Sequence, residues 1–361
     1  MRVVMTCPYS MSRPGGVQVQ VLGLARELRK LGIDVRVLAP CDGPPPDPTI
    51  VSVGPTVDWD SNGSVAPIAP GRAVARRTAE AIRMIEPHVV HLHEPAVPGP
   101  CLSALIGFNG PIVATFHASG ELAHQWTRPA LRSIMNRITV RVVVSEAARE
   151  TARANWNGDE YVVLWNGIEV ERYADADPVP ADRPAVLFLG RHEPRKGLAV
   201  LLDAWRGISR DAVLWVASSG PQTKELRGRR VPAVEWLGSL SDDQKTARLR
   251  GATVFCAPST GGESFGVVLL EAMAAGTCIV ASAIEGYANV ARPDCEALLV
   301  PPGDPDALRD ALRRALDDAA LRDKLVSGGR TRARELSMAR LAQRYSELYE
   351  RAAAAAASDR R

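Results

Sequence analysis

Short runs of β-branched and aliphatic residues alternate along the chain with longer segments whose apolar positions recur at helical spacing, and they do so in two successive series. The first series is RVVMT (Arg2 to Thr6), VRVLA (Val35 to Ala39), HVVHLH (His88 to His93), PIVATFH (Pro111 to His117), RVVVS (Arg141 to Ser145) and YVVLWNG (Tyr161 to Gly167). The second is AVLFLG (Ala185 to Gly190), AVLWVAS (Ala212 to Ser218), VEWLG (Val234 to Gly238), TVFCAPS (Thr253 to Ser259), CIVASA (Cys278 to Ala283) and ALLVPP (Ala297 to Pro302). Strand-like runs separated by helical patterns predict doubly wound parallel sheets. Between the series, Ala174 to Pro184 is rich in Pro and Asp and has no apolar period, which fits a linker. The pattern predicts an α/β chain of two domains facing a central cleft, residues 1–173 and 174–339. A last helix, roughly Ser337 to Ala357, carries Leu341, Tyr345, Leu348 and Tyr349 at helical spacing and would pack back, from about residue 340 to 361, on the first domain.

A length of 361 residues suits two domains of ordinary size. The formal net charge of +3 supplies no global field for nucleic acid, so an acidic partner surface has to be met by a local patch. Six cysteines (Cys7, Cys41, Cys101, Cys256, Cys278, Cys295) are scattered without C-x-x-C pairs and read as reduced core thiols of a cytoplasmic protein. The N-terminus turns polar within a few residues, and no apolar run approaches the ~18 residues that cross a bilayer. A cytoplasmic chain, neither secreted nor membrane-spanning, is expected.

The chemistry concentrates in GGESFGVVLLEAMAAG, Gly261 to Gly276, where Glu263 and Glu271 stand eight positions apart across a glycine-rich entry into a helix. With TVFCAPS as the preceding strand, the backbone N–H groups of Ser264, Phe265 and Gly266, at the mouth of a helix that Val267 opens, would face a diphosphate with the helix dipole behind them. Glu263 would meet a sugar hydroxyl, and Glu271, about two turns inward, the ribose hydroxyls. The plain alternative is an acid compensating a helix N-terminus plus a surface glutamate. GRHEPRKG (Gly190 to Gly197) follows a strand, so Arg191, Arg195 and Lys196 occupy a loop where open α/β sheets bind ligands. Arg191 and Lys196 would neutralise charge on a departing nucleoside diphosphate, unless the loop is an ordinary basic surface loop. In GSLSDDQK, Leu240 backbone groups with Asp242 and Lys245 would meet a purine edge, although Ser241-Asp242-Asp243 equally reads as a plain N-cap.

In the first series, RPGGVQ places Gly15 and Gly16 at a helix mouth where phosphate or sugar can approach closely. His117 ends a strand and would hydrogen-bond the sugar or the reacting region, with a satisfied structural histidine as the alternative. His91 and His93 alternate beside Glu94, but a third ligand is missing and no metal site is assigned. DWD (Asp58 to Asp60) is expected in a Pro- and Gly-rich loop with no strand before it and is discounted as a metal motif. Arg72, Arg76 and Arg83 share a narrow arc, at about 100° per residue, opposite Val74, Ala81 and Ile85, with Arg77 nearby and Glu80 diluting the charge. Such a stripe can dock on anionic lipid, each arginine contributing about 1 kcal/mol, while a solvated face is the commoner explanation.

Together CPYS-x-x-x-PGGVQ, NGSVA (Asn62 to Ala66), HLHEP (His91 to Pro95), ATFHAS, WNGIE, FLGRHEPRKG and CAPSTGGESFGVVLLEAMAAGT spread over nearly the whole chain. This set resembles the retaining family 4 glycosyltransferases of GT-B fold, with two Rossmann-like domains, and most closely their phosphatidylinositol mannosyltransferase branch. The resemblance implies transfer of mannose from GDP-mannose to the inositol ring of a membrane phospholipid or a related inositol phosphate, with no cofactor or metal required, on the cytoplasmic side and peripheral to the plasma membrane. It implies that Gly16, Arg191, Lys196, Glu263, Phe265, Gly266, Val267 and Glu271 hold the donor, that His117 faces the reaction centre, and that Tyr9, Gln18, Asn62 and Ser64 line the acceptor pocket. Departures fall on the acceptor side, where Ser12 and Ala118 replace polar or acidic residues and Pro67 and Leu122 stand in place of basic ones. VASSGPQ (Val216 to Gln222) also departs from the usual glycine-rich turn. UDP-glucose or UDP-N-acetylglucosamine as donor, another acceptor, a nucleotide-sugar epimerase, and a catalytically silent nucleotide-sugar sensor, disfavoured because both glutamates and both cations are present, are the alternatives.

Overall fold

The computed structural model describes the chain apart from residues 14, 62, 63, 119–127, 157, 159, 209, 210, 264 and 359–361, and the side chains of residues 60, 61, 64, 65 and 128–130. The chain divides into two compact units, Met1–Gly167 with Met338–Arg361, and Ile168–Ser337. The first unit runs β1 (Arg2–Thr6), α1 (Gly16–Lys30), β2 (Asp34–Ala39), β3 (Ile50–Ser52), β4 (Val57–Ser61), β5 (Ser64–Ile68), α2 (Arg72–Ile85), β6 (Val89–His93), α3 (Pro100–Gly107), β7 (Ile112–Phe116), α4 (Arg128–Met135), β8 (Val140–Val143), α5 (Glu146–Asn155) and β9 (Val162–Val163). The second runs α6 (Val170–Ala174), β10 (Ala185–Leu189), α7 (Leu198–Trp205), β11 (Val213–Ala217), α8 (Thr223–Gly228), β12 (Val234–Gly238), α9 (Asp242–Gly251), β13 (Val254–Ala257), α10 (Val267–Ala275), β14 (Cys278–Ser282), α11 (Glu285–Ala288), β15 (Leu298–Val300), α12 (Pro305–Asp317) and α13 (Ala319–Glu335). α14 (Met338–Ser358) then belongs to the first unit again.

In the first unit a seven-stranded parallel sheet has the order β3-β2-β1-β6-β7-β8-β9, and in the second a six-stranded one has the order β12-β11-β10-β13-β14-β15. Every residue of β6, β7, β11 and β14 is buried, as expected of strands covered by helices on both faces. In each sheet the order reverses once, between β1 and β6 and between β10 and β13, and the loops leaving the C-terminal ends of such strands form the ligand crevice of open α/β sheets. α14 packs along α1, burying Met338, Ala342, Tyr345, Leu348, Tyr349 and Ala352 in the same core as Val21, Leu24 and Leu28. α2 buries Val74, Thr78, Ala81 and Ile82 and leaves Arg72, Arg76 and Arg83 exposed.

Two sequence expectations are corrected. DWD is not in a loop: Asp58 to Asp60 belong to β4, which pairs antiparallel with β5 as a separate hairpin (Trp59 opposite Ala66), and the isolated bridge Tyr9–Ile68 ties that hairpin to the segment after β1. Cys295 is exposed, whereas the other five cysteines are buried, so it is not a core thiol. Among the described residues no helix is long and apolar enough to cross a membrane, and no group of three or more His, Cys, Asp or Glu is placed to hold a metal ion.

Candidate active site

In the second unit, the loops after β10 and β13 emerge side by side at the reversal point and are stitched together. Thr260 N donates to Arg195 O at 2.8 Å, and Arg195 Nη1 donates to Gly262 O at 3.1 Å. Gly197 makes the approach possible. It has φ +70°, and a Cβ there would stand 1.8 Å from Pro258 O, so no other residue fits. At this seam Lys196 Nζ forms an ion pair and hydrogen bond with Glu263 Oε1, and Ser259 Oγ donates to the same oxygen at 3.4 Å. Arg195 lies 3.5 Å from Glu263, while Glu193 is shared by Arg191 (3.1 Å) and Arg195 (3.1 Å). Three cations thus converge on two carboxylates, leaving a net positive seam suited to an anion.

Behind it, Ser259 Oγ bonds Tyr287 OH at 2.9 Å, and Tyr287 is buried against Gly266, where a Cβ would come within 2.6 Å of its ring. Burial pushes the Tyr287 hydroxyl pKa up, so it stays a neutral donor. Gly266, at φ +77°, precedes the first turn of α10, and among the described residues no side chain caps that helix, so its N-terminal dipole is not countered by a capping group there. Val267 is the first helical residue, and Phe265 is buried beneath the turn. Glu271 follows one turn later, almost fully buried; Tyr173 OH (2.9 Å) and Lys245 Nζ (2.8 Å) both donate to its Oε1. The Tyr173 pKa is raised by burial and then by the Glu271 charge. The structure therefore brings Lys196, from the loop after β10, to Glu263 and Lys245, from α9, to Glu271, the two glutamates sharing one loop–helix segment. Asp242 pairs with Arg172 (3.1 Å), lies 4.0 Å from Lys245 and remains exposed, Ser241 closes a capping box with Gln244, and Leu240 lies in the loop between β12 and α9. The capping reading of Ser241 is the one the local geometry bears out.

In the first unit, the loop after β1 is held by a polar hub. Asp42 accepts from Ser10 Oγ (2.8 Å), Thr56 N (2.8 Å) and Thr56 Oγ1, and pairs with Arg13 (3.3 Å). Gln18 turns its amide back on this loop, to Ser10 O (3.2 Å) and Arg13 O (3.3 Å), lying over Gly15. Gly16, by contrast, has open space where a Cβ would project. Tyr9 is half-buried beside this loop.

At the ends of β6 and β7, Glu94 Oε1 accepts from His117 N and Ala118 N, both at 2.6 Å. Burial raises the Glu94 pKa to about 7 and lowers those of His91 and His117 to about 3 and about 4. His117 Nε2 lies 2.9 Å from His93 Nδ1, and His91 is bonded through both nitrogens, to Tyr349 OH (2.8 Å) and Thr115 Oγ1 (2.7 Å). Asn62 and Ser264 fall outside the described residues, as do Leu122 and the side chain of Ser64. Sequence reasoning missed Glu193, Ser259, Tyr287, Tyr173 and Asp42; the last four act through partners distant in the chain, whereas Glu193 pairs with its near neighbours Arg191 and Arg195 and Ser259 stands at a strand end before the glycines, so those two carried a local signal.

Twin parallel α/β sheets, each reversing its strand order once, with a net positive loop seam at the reversal point of the second, are the architecture of a glycosyltransferase of GT-B fold. Two family models cover most of the chain: "Glycosyltransferase Family 4" over residues 14–172 and "Glycosyl transferases group 1" over residues 183–318. The chain is 39% identical to the phosphatidyl-myo-inositol mannosyltransferase of Mycobacterium tuberculosis over 99% of its own length and 98% of that protein, and 38% identical to that of Propionibacterium freudenreichii over 81% and 80%. Among solved structures it is similar to a glycosyltransferase from Rickettsia africae (TM-score 0.76, 19% identity, 97% of this chain and 98% of the other) and to Anabaena HepE in complex with UDP (TM-score 0.74, 17% identity, 97% and 100%), likenesses that speak to fold. The chain belongs to glycosyltransferase family 4.

Proposed function

We propose that the enzyme transfers mannose from GDP-mannose, with retention, to the inositol ring of phosphatidylinositol or a related inositol phosphate. The observation that supports this reading best is identity of 39% along nearly the whole chain to proteins named phosphatidyl-myo-inositol mannosyltransferase. In this reading the β10 and β13 loops hold the diphosphate, with Arg191 and Lys196 stabilising charge as the sugar–phosphate bond breaks. Lys196 exchanges its Glu263 contact for phosphate, which releases Glu263 to orient the sugar. Glu271, steadied at Oε1 by Tyr173 and Lys245, receives the ribose hydroxyls. The acceptor oxygen bonds the anomeric carbon on the face the diphosphate leaves, and its proton passes to a diphosphate oxygen, which keeps the configuration. Tyr9, Gln18 and the loop after β1 are assigned to the acceptor, His117 to the reacting sugar, Leu240 and Asp242 to the base, and exposed Arg72, Arg76 and Arg83 to anionic lipid.

Mass spectrometry of products from GDP-mannose offered with phosphatidylinositol, with soluble inositol phosphate and with neither tests this, with UDP-glucose and UDP-N-acetylglucosamine as competing donors. A mannosylated inositol product is expected. A product only from a UDP-sugar, or an altered nucleotide sugar without acceptor, overturns the assignment. Lys196→Ala and Glu263→Ala should each lower transfer by about 10²- to 10³-fold, the scale of losing a group that stabilises transition-state charge; unchanged transfer in both would remove the site from the seam.

A further inference from the structure

We propose that His93 is a positioning residue that holds His117 as its Nδ1–H tautomer, so that His117 offers a hydrogen-bond donor, and not a base, to an oxygen of the reacting sugar. The inference rests on the placement of His117 at that sugar under the proposed function. Three imidazoles line the ends of β6 and β7, and the hydrogen-bond accounting differs among them. His91 is a satisfied core histidine: its Nδ1 meets Tyr349 OH and its Nε2 meets Thr115 Oγ1, which in turn meets Tyr345 OH at 2.8 Å. It has no capacity left. His93 is as deeply buried, yet its ring makes a single bond, from Nδ1 to His117 Nε2 at 2.9 Å, with the rings stacked at 25° and 5.2 Å between centroids. Its Nε2 is buried without a partner among the described residues.

Two neutral rings sharing that bond have two possible arrangements. If His117 Nε2–H donated, the proton of His93 would sit on Nε2 as a buried, unpartnered N–H, and orphaned buried N–H groups are the rarer defect. If His93 Nδ1–H donates, the unpartnered atom is a bare lone pair, and the proton of His117 is forced to Nδ1 on the half-buried ring. Protonating His93 so that both of its nitrogens donate is disfavoured by burial and by His91, whose ring centroid is 4.3 Å away. The frame is rigid: Cys101 Sγ donates to His93 O (3.0 Å), and Glu94 grips the backbone of His117 and Ala118. His93 therefore has one chemical task within reach, and that is to fix which nitrogen of His117 carries the proton.

The test uses the full chain labelled with 15N at histidine, with His117 assigned by comparison with His117→Ala. Two-bond 15N–1H correlation should show a pyridine-type Nε2 and a pyrrole-type Nδ1 for His117. In His93→Phe, which keeps the ring bulk and removes the donor, this pattern should be lost and kcat should fall by about 10- to 100-fold, with KM for the donor within about twofold. His93→Asn, whose amide N–H occupies nearly the place of Nδ1–H, should recover both the pattern and most of the rate. A pyrrole-type Nε2 on His117 in the native enzyme, or His93→Asn as impaired as His93→Phe, overturns the proposal. A fully active His117→Ala enzyme overturns instead the placement of His117 at the sugar and with it the rate prediction, while the nitrogen pattern decides the His93 bond independently.

Discussion

At the scale of single residues, the second unit carries visible backbone strain beside its basic loop. Ser218 sits just past β11 at φ +81°, where a side chain is costly, and its N–H is committed to Gly238 O. The sequence had already set VASSGPQ apart from a glycine-rich turn, and the structure shows the cost of that departure. Ser218→Gly should stabilise the second unit by about 0.5–1 kcal/mol, the relief of strain less the added freedom of the unfolded chain, read as a higher urea midpoint with unchanged slope. Gly220→Ala should do the reverse by about 1–3 kcal/mol, because its Cβ would meet His192 N at 2.7 Å, and it should also slow transfer through the neighbouring Arg191. In the first unit, Glu94 has a pKa raised to about 7 from 4.5, so its contribution to stability is full below pH 4.5 and is lost as pH rises through 7. The neutral His91 and His117 rings act oppositely, their contribution being full above pH 6.5 and lost as pH falls toward about 3 and about 4. Glu94→Gln keeps the acceptor oxygen for His117 N and Ala118 N and removes only the ionisation. Its stability relative to the native chain should therefore rise from pH 5 to about pH 7 and level off above that in urea unfolding of the first unit; a difference that does not vary with pH would contradict the buried-carboxylate account.

Among the elements, α2 is the one whose exposed face calls for a partner. Its buried stripe faces the core, Arg77 reaches back to Val53 O at 3.2 Å, and Arg72, Arg76 and Arg83 are left outward, with Arg76 partly countered by Glu80 at 3.6 Å. At about 1 kcal/mol per arginine near an anionic surface, exchanging these three for glutamine should weaken vesicle binding by about 10²-fold when phosphatidylglycerol is present, and change nothing on neutral vesicles; equal binding to both lipids would assign the stripe to solvent. The legibility of the elements follows from their burial. Strands covered on both faces read as unbroken aliphatic runs, so the main strands of both sheets were visible in sequence, as was α2 from its opposed arginines and aliphatics. β3 has three residues at a sheet edge, and β4 and β5 lie in a hairpin outside either main sheet, so none needed an apolar run. For that reason the strand that holds Asp58 to Asp60 reads as a loop in the sequence. In the candidate site, Lys196, Glu263 and Glu271 were legible because glycines and a strand end frame them. Tyr173 and Tyr287 were not, because what makes them matter is a contact with a residue distant in the chain, made only after folding.

For the whole molecule, the chain passes from the first unit to the second at Gly167 and returns at Met338, so the first unit is completed by its last helix. The exit is fixed on both sides: Gln20 donates to Gly167 O and accepts from Gly167 N, each at 2.9 Å, and a Cβ on Gly167 would stand 3.0 Å from Met338 Cα. α14 buries Met338, Tyr345, Leu348 and Tyr349 almost completely. At about 1.5–3 kcal/mol each, these side chains contribute roughly 6–12 kcal/mol, an upper figure, against the ~5–15 kcal/mol that holds an entire domain. Removing α14 would also leave His91 Nδ1 without Tyr349 and Thr115 without Tyr345 inside a dry core, a further penalty of about 1–3 kcal/mol for each orphaned group. The second unit depends on none of this, since its own core is built from α7, α8, α12, α13 and the strands of its own sheet. A chain ending at Ser337 should therefore lose the calorimetric transition of the first unit and all glycosyl transfer, yet keep the transition of the second and bind GDP within about threefold of the full chain, since Lys196, Lys245, Glu263 and Glu271 all belong to that unit. Calorimetry and titration on the truncated chain decide it: nucleotide binding lost from a second unit that still melts cooperatively would show that the donor site needs the first, and transfer retained without α14 would show that the His91 network is dispensable.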